Sequence, residues 1–257
     1  MEEQYHPDWD AYFCFLDEKP ASIAIDLDLR RFAPLEDRIH LIHISIHVMD
    51  PDENGLPKGH ELEKLSEIED NLACELGDKL DAVFAGRIAH NGHRSFYFYA
   101  ATTADAASVV INSISEFEGY SAQLEISDEP EWETYFDFLL PDEREFQRIQ
   151  NRRLLAQLEE YGDKPDQLRK IEHWVYFPTE ENRADFVRSV VSQGYQYESM
   201  AAEEGYQFNY KLLVSREDPT TEENIDKVVL YLWETAQKFD GEYDGWETTV
   251  VRDPSIL

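Results

Sequence analysis

Runs of alternating apolar and polar residues constrain this chain most, because a two-residue period suits a strand with one buried face and does not suit a helix. From Ser22 to Leu29, Ile23, Ile25, Leu27 and Leu29 share one face while Asp26 and Asp28 share the other, which predicts a half-buried strand. From Arg38 to Val48, Ile42, Ile44, Ile46 and Val48 alternate with His43, Ser45 and His47, which predicts a second strand with a polar face. Val83 to Ala89 and Arg94 to Ala100 flank His90-Asn91-Gly92-His93. Asn-Gly between alternating runs is the strongest short-range hairpin signal.

Helical periods separate these strands. Leu62, Leu65, Ile68, Leu72 and Leu76 predict a helix from Glu61 to Leu76, with Gly77 as its stop. A helix over 104–117 and a strand ending near Ile126 follow, and 134–140 reads as another strand. From Asp142 to Tyr161 a helix carries Phe146, Ile149, Leu154, Leu155 and Leu158 on its apolar side and Arg144, Arg148, Arg152 and Arg153 among its polar positions. Beyond Gly162-Asp-Lys-Pro165, the expected order is strand 171–177, helix 180–192, strand 194–199, strand 206–214, helix 221–239 and strand 246–251. That βαββαβ order is ferredoxin-like. The fold class is therefore α+β, with two α/β sandwich domains: an acidic domain over 1–140, a connecting helix and turn over 141–164, and a ferredoxin-like domain over 165–257. Phe96-Tyr-Phe-Tyr99 followed by Thr102, a helix and Gly119-Tyr120 parallels Trp174-Val-Tyr-Phe177 followed by Thr179, a helix and Gly194-Tyr195, so the first domain reads as a related duplication of the second.

Charge narrows the function. With 55 Asp and Glu against 23 Lys and Arg, the chain's formal charge is −32. Such a surface repels phosphate backbones, since nucleic-acid affinity comes largely from Lys and Arg, and direct nucleic-acid binding is not expected. At 42% hydrophobic and 13% aromatic residues, the chain has a folded protein's composition rather than a disordered one's. The excess is uneven: residues 1–140 hold 30 acidic and 9 basic residues, net −21, and residues 141–257 hold 25 and 14, net −11. Cys14 and Cys74 read as reduced thiols, the first ten residues lack a signal peptide's basic and apolar regions, and Ile39 to Met49 is too short to span a bilayer. The expected location is cytoplasmic.

Asp50-Pro-Asp52-Glu-Asn54-Gly55 with Glu61 satisfies the calcium-loop pattern, which supplies oxygen ligands, a tight turn and a final Glu. A strand rather than a helix enters it, Pro57 occupies the eighth position, and no second match pairs with it, so a strand-to-helix connection is the expected role. His43 and His47 share a strand face about 13 Å apart, too far for one metal. His90 and His93 flank the hairpin turn with no third ligand fixed beside them. No G-x-S-x-G, H-E-x-x-H or phosphate-cradling loop is present, and glycine is only 11 of 257 residues. These observations predict no catalytic residues, no metal and no cofactor. The other distinctive segment is Phe239-Asp240-Gly241-Glu242-Tyr243-Asp244-Gly245-Trp246, where Gly241 reads as an αL helix stop and Gly245 as the opening of the last strand. Asp240, Glu242, Tyr243, Asp244 and Trp246 are the candidate partner-binding residues, with the aromatics as anchors. Structural packing competes with that role, most of all at Trp246.

This segment, with Lys238 before it, the helix from Glu222, its Pro219-Thr-Thr-Glu-Glu start and the run from His173 to Tyr197, resembles the RraB family over roughly 165–252. Residues 5–138, with Trp9, Pro20-Ala21, Asn54-Gly-Leu-Pro57, Ile68-Glu-Asp70 and Gly86-Arg87, look like the bacterial domain-of-unknown-function 695 family. The first resemblance implies a ferredoxin-like, non-catalytic inhibitor that binds the scaffold region of RNase E and alters RNA turnover. An acidic surface suits such a basic protein segment. Two other classes stay open: an acidic nucleic-acid mimic, and a metal-dependent enzyme using His90, His93 or the loop from Asp50 to Glu61.

Overall fold

The computed structural model describes residues 4–199 and 207–252. The chain divides into two compact units, Met1–Asp142 and Glu143–Leu257, and no helix among the described residues is long and apolar enough to cross a membrane. The first unit contains β1 (Trp9–Leu16), β2 (Lys19–Asp26), β3 (His40–His47), α1 (Gly59–Leu80), β4 (Val83–His90), β5 (His93–Ala100), α2 (Ala106–Ser115) and β6 (Ala122–Asp128). They form one antiparallel sheet in the order β1-β2-β4-β5-β3-β6. One face of the sheet carries Ile42, Ile44, Ile46, Phe96 and Phe98. It packs under Leu65, Ile68, Leu72 and Leu76 of α1 and Val109, Val110 and Ile114 of α2.

The second unit contains α3 (Glu143–Glu160), β7 (Arg169–Phe177), α4 (Glu180–Val191), β8 (Gln196–Ser199), β9 (Tyr210–Asp218), α5 (Glu222–Lys238) and β10 (Glu242–Thr248). Its sheet order is β10-β7-β9-β8, and Ile171, Val175, Phe177, Leu212 and Val214 face Phe186, Val190, Ile225, Val229 and Leu232 of the helices. The same βαββαβ core occurs in both units. In the first it runs β3-α1-β4-β5-α2-β6, sheet order β6-β3-β5-β4, with the β1–β2 hairpin added at the β4 edge. The strand equivalent to Trp174–Phe177 is thus β3, and the aromatic strand Phe96–Tyr99 matches β9. The aromatic runs point to the repeat but misplace its phase by one helix and two strands, the β3-α1-β4 stretch. Helix α3, expected as a connection, packs within the second unit: Leu158 joins its core, and Asn151 bonds both Trp246 and Asp226.

Several elements differ from expectation. Strand β1 was not signalled, and the strand read at Ser22–Leu29 instead runs from Lys19 to Asp26; the hairpin they form turns at Asp17 and Glu18, both in the left-handed region. Asp26 and Asp28 do not face solvent. Asp26 is fully buried, accepting the Asp8 and Asp28 amides at 2.9 and 3.0 Å and the Tyr5 hydroxyl, while Tyr135 donates to its carbonyl at 2.8 Å. Helix α1 runs through Gly77 to Leu80, which is buried, before Asp81 caps it at φ 50°. Burial of one leucine outweighs the ~1 kcal/mol cost of glycine within a helix. Residues Thr134–Leu139 form a π-helical turn instead of a strand. The Glu129 carboxylate accepts from the Thr134 amide and hydroxyl at 3.0 and 2.9 Å, and the turn points Tyr135 and Leu139 inward together.

Asp26 leaves two amides and a hydroxyl without acceptors if it is removed. Asp26→Ala is expected to lower unfolding stability of the first unit by about 3 kcal/mol. An exposed acid such as Glu53→Ala should stay within ~0.5 kcal/mol. Urea denaturation of both variants checks this, and equal effects would show that Asp26 does not anchor the hairpin.

Candidate functional site

The Asp-Gly-Glu-Tyr-Asp-Gly-Trp string is mostly strand. Helix α5 ends at Lys238, and the left-handed residue after it is Asp240, at φ 52°, not Gly241. Gly241 serves a different need: a Cβ there would lie 2.4 Å from the Phe177 ring, which is fully buried. Strand β10 begins at Glu242, earlier than expected, and a bulge between Tyr243 and Gly245 shifts the register so that Gly245 pairs with Trp174 and Trp246 with His173.

That bulge decides which candidate residues face out. Tyr243 and Trp246 lie opposite Val175 and His173 and turn into the core, 7% and 9% exposed. The Trp246 indole donates to Asn151 Oδ1 at 2.9 Å, which ties α3 to the sheet. The Tyr243 hydroxyl shares a 2.8 Å hydrogen bond with His173 Nδ1. Burial pushes the Tyr243 phenol well above its usual range. Both aromatics are therefore packing residues, while Asp240, Glu242 and Asp244 are exposed.

The face of β7 that points away from the helices was not singled out from the sequence, although its period-two alternation marks it. It carries Trp174 and Tyr176, both half-buried. Lys211 on β9 pairs across from Tyr176 and holds its ammonium 4.1 Å from the Trp174 ring centre and 5.5 Å from the Tyr176 ring centre. The Trp174 indole donates to Glu247 Oε1 at 3.0 Å. Glu242 sits opposite Tyr176, so the outward acid of the string joins this aromatic face.

Candidate chemistry in the first unit resolves into structural contacts. Glu61 is buried, accepting the Met49 and Asp50 amides at 2.8 and 3.0 Å and the Tyr120 hydroxyl at 3.0 Å. Asp52 accepts the Asn54 and Leu56 amides at 2.9 and 2.8 Å. The calcium-like spacing thus follows from a loop whose carboxylates satisfy backbone donors. His90 and His93 are register partners, but His90 Nδ1 contacts the Pro20 carbonyl at 3.2 Å, and the His93 ring packs against His47 at 5.3 Å between centres. His43 stacks on Tyr97 at 4.8 Å. A groove of about 480 Å³ beside β1 is lined by Trp9, Phe84, Glu69 and Arg87, and Glu69 is already engaged by Arg87 at 2.8 Å and Arg94 at 2.6 Å. No group of three or more His, Cys, Asp or Glu side chains able to hold a metal occurs among the described residues.

The fold and the face just described define a two-unit α+β protein whose second unit is ferredoxin-like. The chain belongs to the family of unknown function DUF695, whose model matches residues 7–140, and residues 148–248 match the family model Regulator of ribonuclease activity B (RraB). No curated protein matches the chain. Among solved structures, an unknown protein from Galdieria sulphuraria is 13% identical, with 82% of this chain and 99% of that one covered at a TM-score of 0.23. A putative glycine cleavage system transcriptional repressor is 8% identical, with 82% and 98% covered at 0.24. Scores this low carry no structural argument.

His173 gives the core of this unit a pH signature. Burial, reinforced by the Arg216 charge, pulls its imidazole from 6.5 down to about 3. The unfolded chain therefore binds one more proton between pH 6.5 and about 3, so this contribution is complete above 6.5 and is lost as pH falls through that window. His173→Leu should flatten the pH dependence of unfolding by about one proton, measured from denaturant midpoints. An unchanged slope would place the titration elsewhere.

Proposed function

We propose that this chain is a non-catalytic regulatory protein of the cytoplasm, which binds a basic segment of another protein through its second unit. The partner is the scaffold region of RNase E, and the outcome is inhibition of that nuclease and slower RNA turnover. The observation that carries this reading is the match of residues 148–248 to Regulator of ribonuclease activity B. Exposed Asp240, Glu242 and Asp244 at one sheet edge supply charge of the right sign for a basic segment. Such complementarity raises association rate and specificity more than bare affinity. The formal charge of −32 also favours a protein partner over direct contact with RNA.

Cleavage of a labelled RNA by purified full-length RNase E, with and without this protein, tests the proposal. Added protein is expected to slow cleavage at low salt, with the effect shrinking as salt screens the contact. The triple variant Asp240→Asn, Glu242→Gln, Asp244→Asn should require about tenfold more protein for the same inhibition, roughly the loss of a few exposed charge contacts. An RNA cleavage rate that is indifferent to saturating protein would overturn the proposal.

A further inference from the structure

We propose that the outward face of the second sheet is an arginine-binding platform, on which the planar guanidinium groups of an extended, arginine-bearing peptide stack on Trp174 and Tyr176 between flanking carboxylates. This rests on the reading that the second unit binds a basic protein segment, and it assigns that segment a place and a residue type.

Three observations converge. First, the platform already holds a cation: Lys211 lies 4.1 Å above Trp174, so the ring is oriented and accessible for cation–π contact, and the lysine occupies a place that an incoming guanidinium can take. Second, acids dominate the face. Register places Glu172, Glu198, Glu217, Glu242 and Glu247 on it, against Lys170 and Lys211. Lys170 is itself engaged by Glu172 at 2.5 Å.

Third, Glu172 and Glu247 sit directly opposite each other on neighbouring strands, an arrangement of like charges that weakens a sheet. Lys170 pairs with Glu172 and the Trp174 indole donates to Glu247 at 3.0 Å, so both carboxylates are held beside the ring, where an incoming guanidinium can fork onto them. Arginine fits better than lysine because one planar group can both stack on an indole and fork onto a carboxylate. Aromatic sheet platforms also stack nucleic-acid bases, but the acids lining this one repel phosphates.

The test uses the full-length protein and a fluorescein-labelled peptide of alternating arginine and glycine, followed by anisotropy at low salt. Trp174→Leu should weaken binding about tenfold. Lys211→Met should strengthen it about threefold by removing the resident cation, a gain that misfolding cannot produce. The control Glu63→Gln with Glu67→Gln, on exposed positions of α1 in the first unit, should change affinity less than twofold by comparison with exposed single charges. If Trp174→Leu and Lys211→Met leave affinity unchanged while the control weakens it, the platform is wrong and the basic-partner reading survives. No binding by the wild type at low salt overturns both. Tighter binding of a labelled oligouridine than of the peptide overturns the platform in favour of nucleic acid.

Discussion

Burial of one face of each antiparallel sheet beneath two helices determines where the other side chains can go. In the second unit, Ile171, Val175, Phe177 and His173 on β7 enter the core, and strict alternation then sends Glu172, Trp174 and Tyr176 outward. The bulge at Tyr243 and Gly245 keeps β10 consistent with that rule, because it lets both Tyr243 and Trp246 face inward although they are an odd number of positions, three, apart. A strand without the bulge would place one of these aromatics in solvent. The outward face is thus a product of core packing, and its acids and aromatics are what the core does not take.

Buried polar groups follow the same logic in both units. The Asp163 side chain is enclosed beside Arg169, although the residue as a whole is only half-buried. Burial alone would raise its carboxyl, but hydrogen bonds from the Val251 amide, Arg169 and Thr220 outweigh it and hold the group below its ordinary range. Asp26 and Glu61 in the first unit also spend their carboxylates on backbone amides. In a chain this acidic, some carboxylates are structural acceptors, and counting acids in the sequence overstates the charge available to a partner.

Much of the architecture was legible because short signals act locally. Asn91-Gly92 sets the β4–β5 hairpin, and the 3.6-residue spacing of Leu65, Ile68, Leu72 and Leu76 sets the buried face of α1. Signals that depend on distant partners were not legible. Gly77 reads as a stop until Leu80 is seen to reach the core, and Thr134–Leu139 reads as a strand until Glu129 is seen to cap it. The candidate site was legible only in its acids. Whether Tyr243 and Trp246 face in or out depends on the bulge, and the pairing of Lys211 with Trp174 exists only across two strands.

A formal charge of −32 favours a basic partner but does not single out a binding face. The proposed binding face, the platform around Trp174, lies in the less acidic half of the chain, where aromatic rings and carboxylates occur together. The most direct measurement follows the indole N–H resonances of Trp174 and Trp246 in the full-length protein while an arginine-bearing segment of RNase E is added. Trp174, half-buried beside Glu247 on the outward face, is expected to shift with saturation, while Trp246, bonded to Asn151 within the core, stays in place. A shift at Trp246 with Trp174 unmoved would contradict the account.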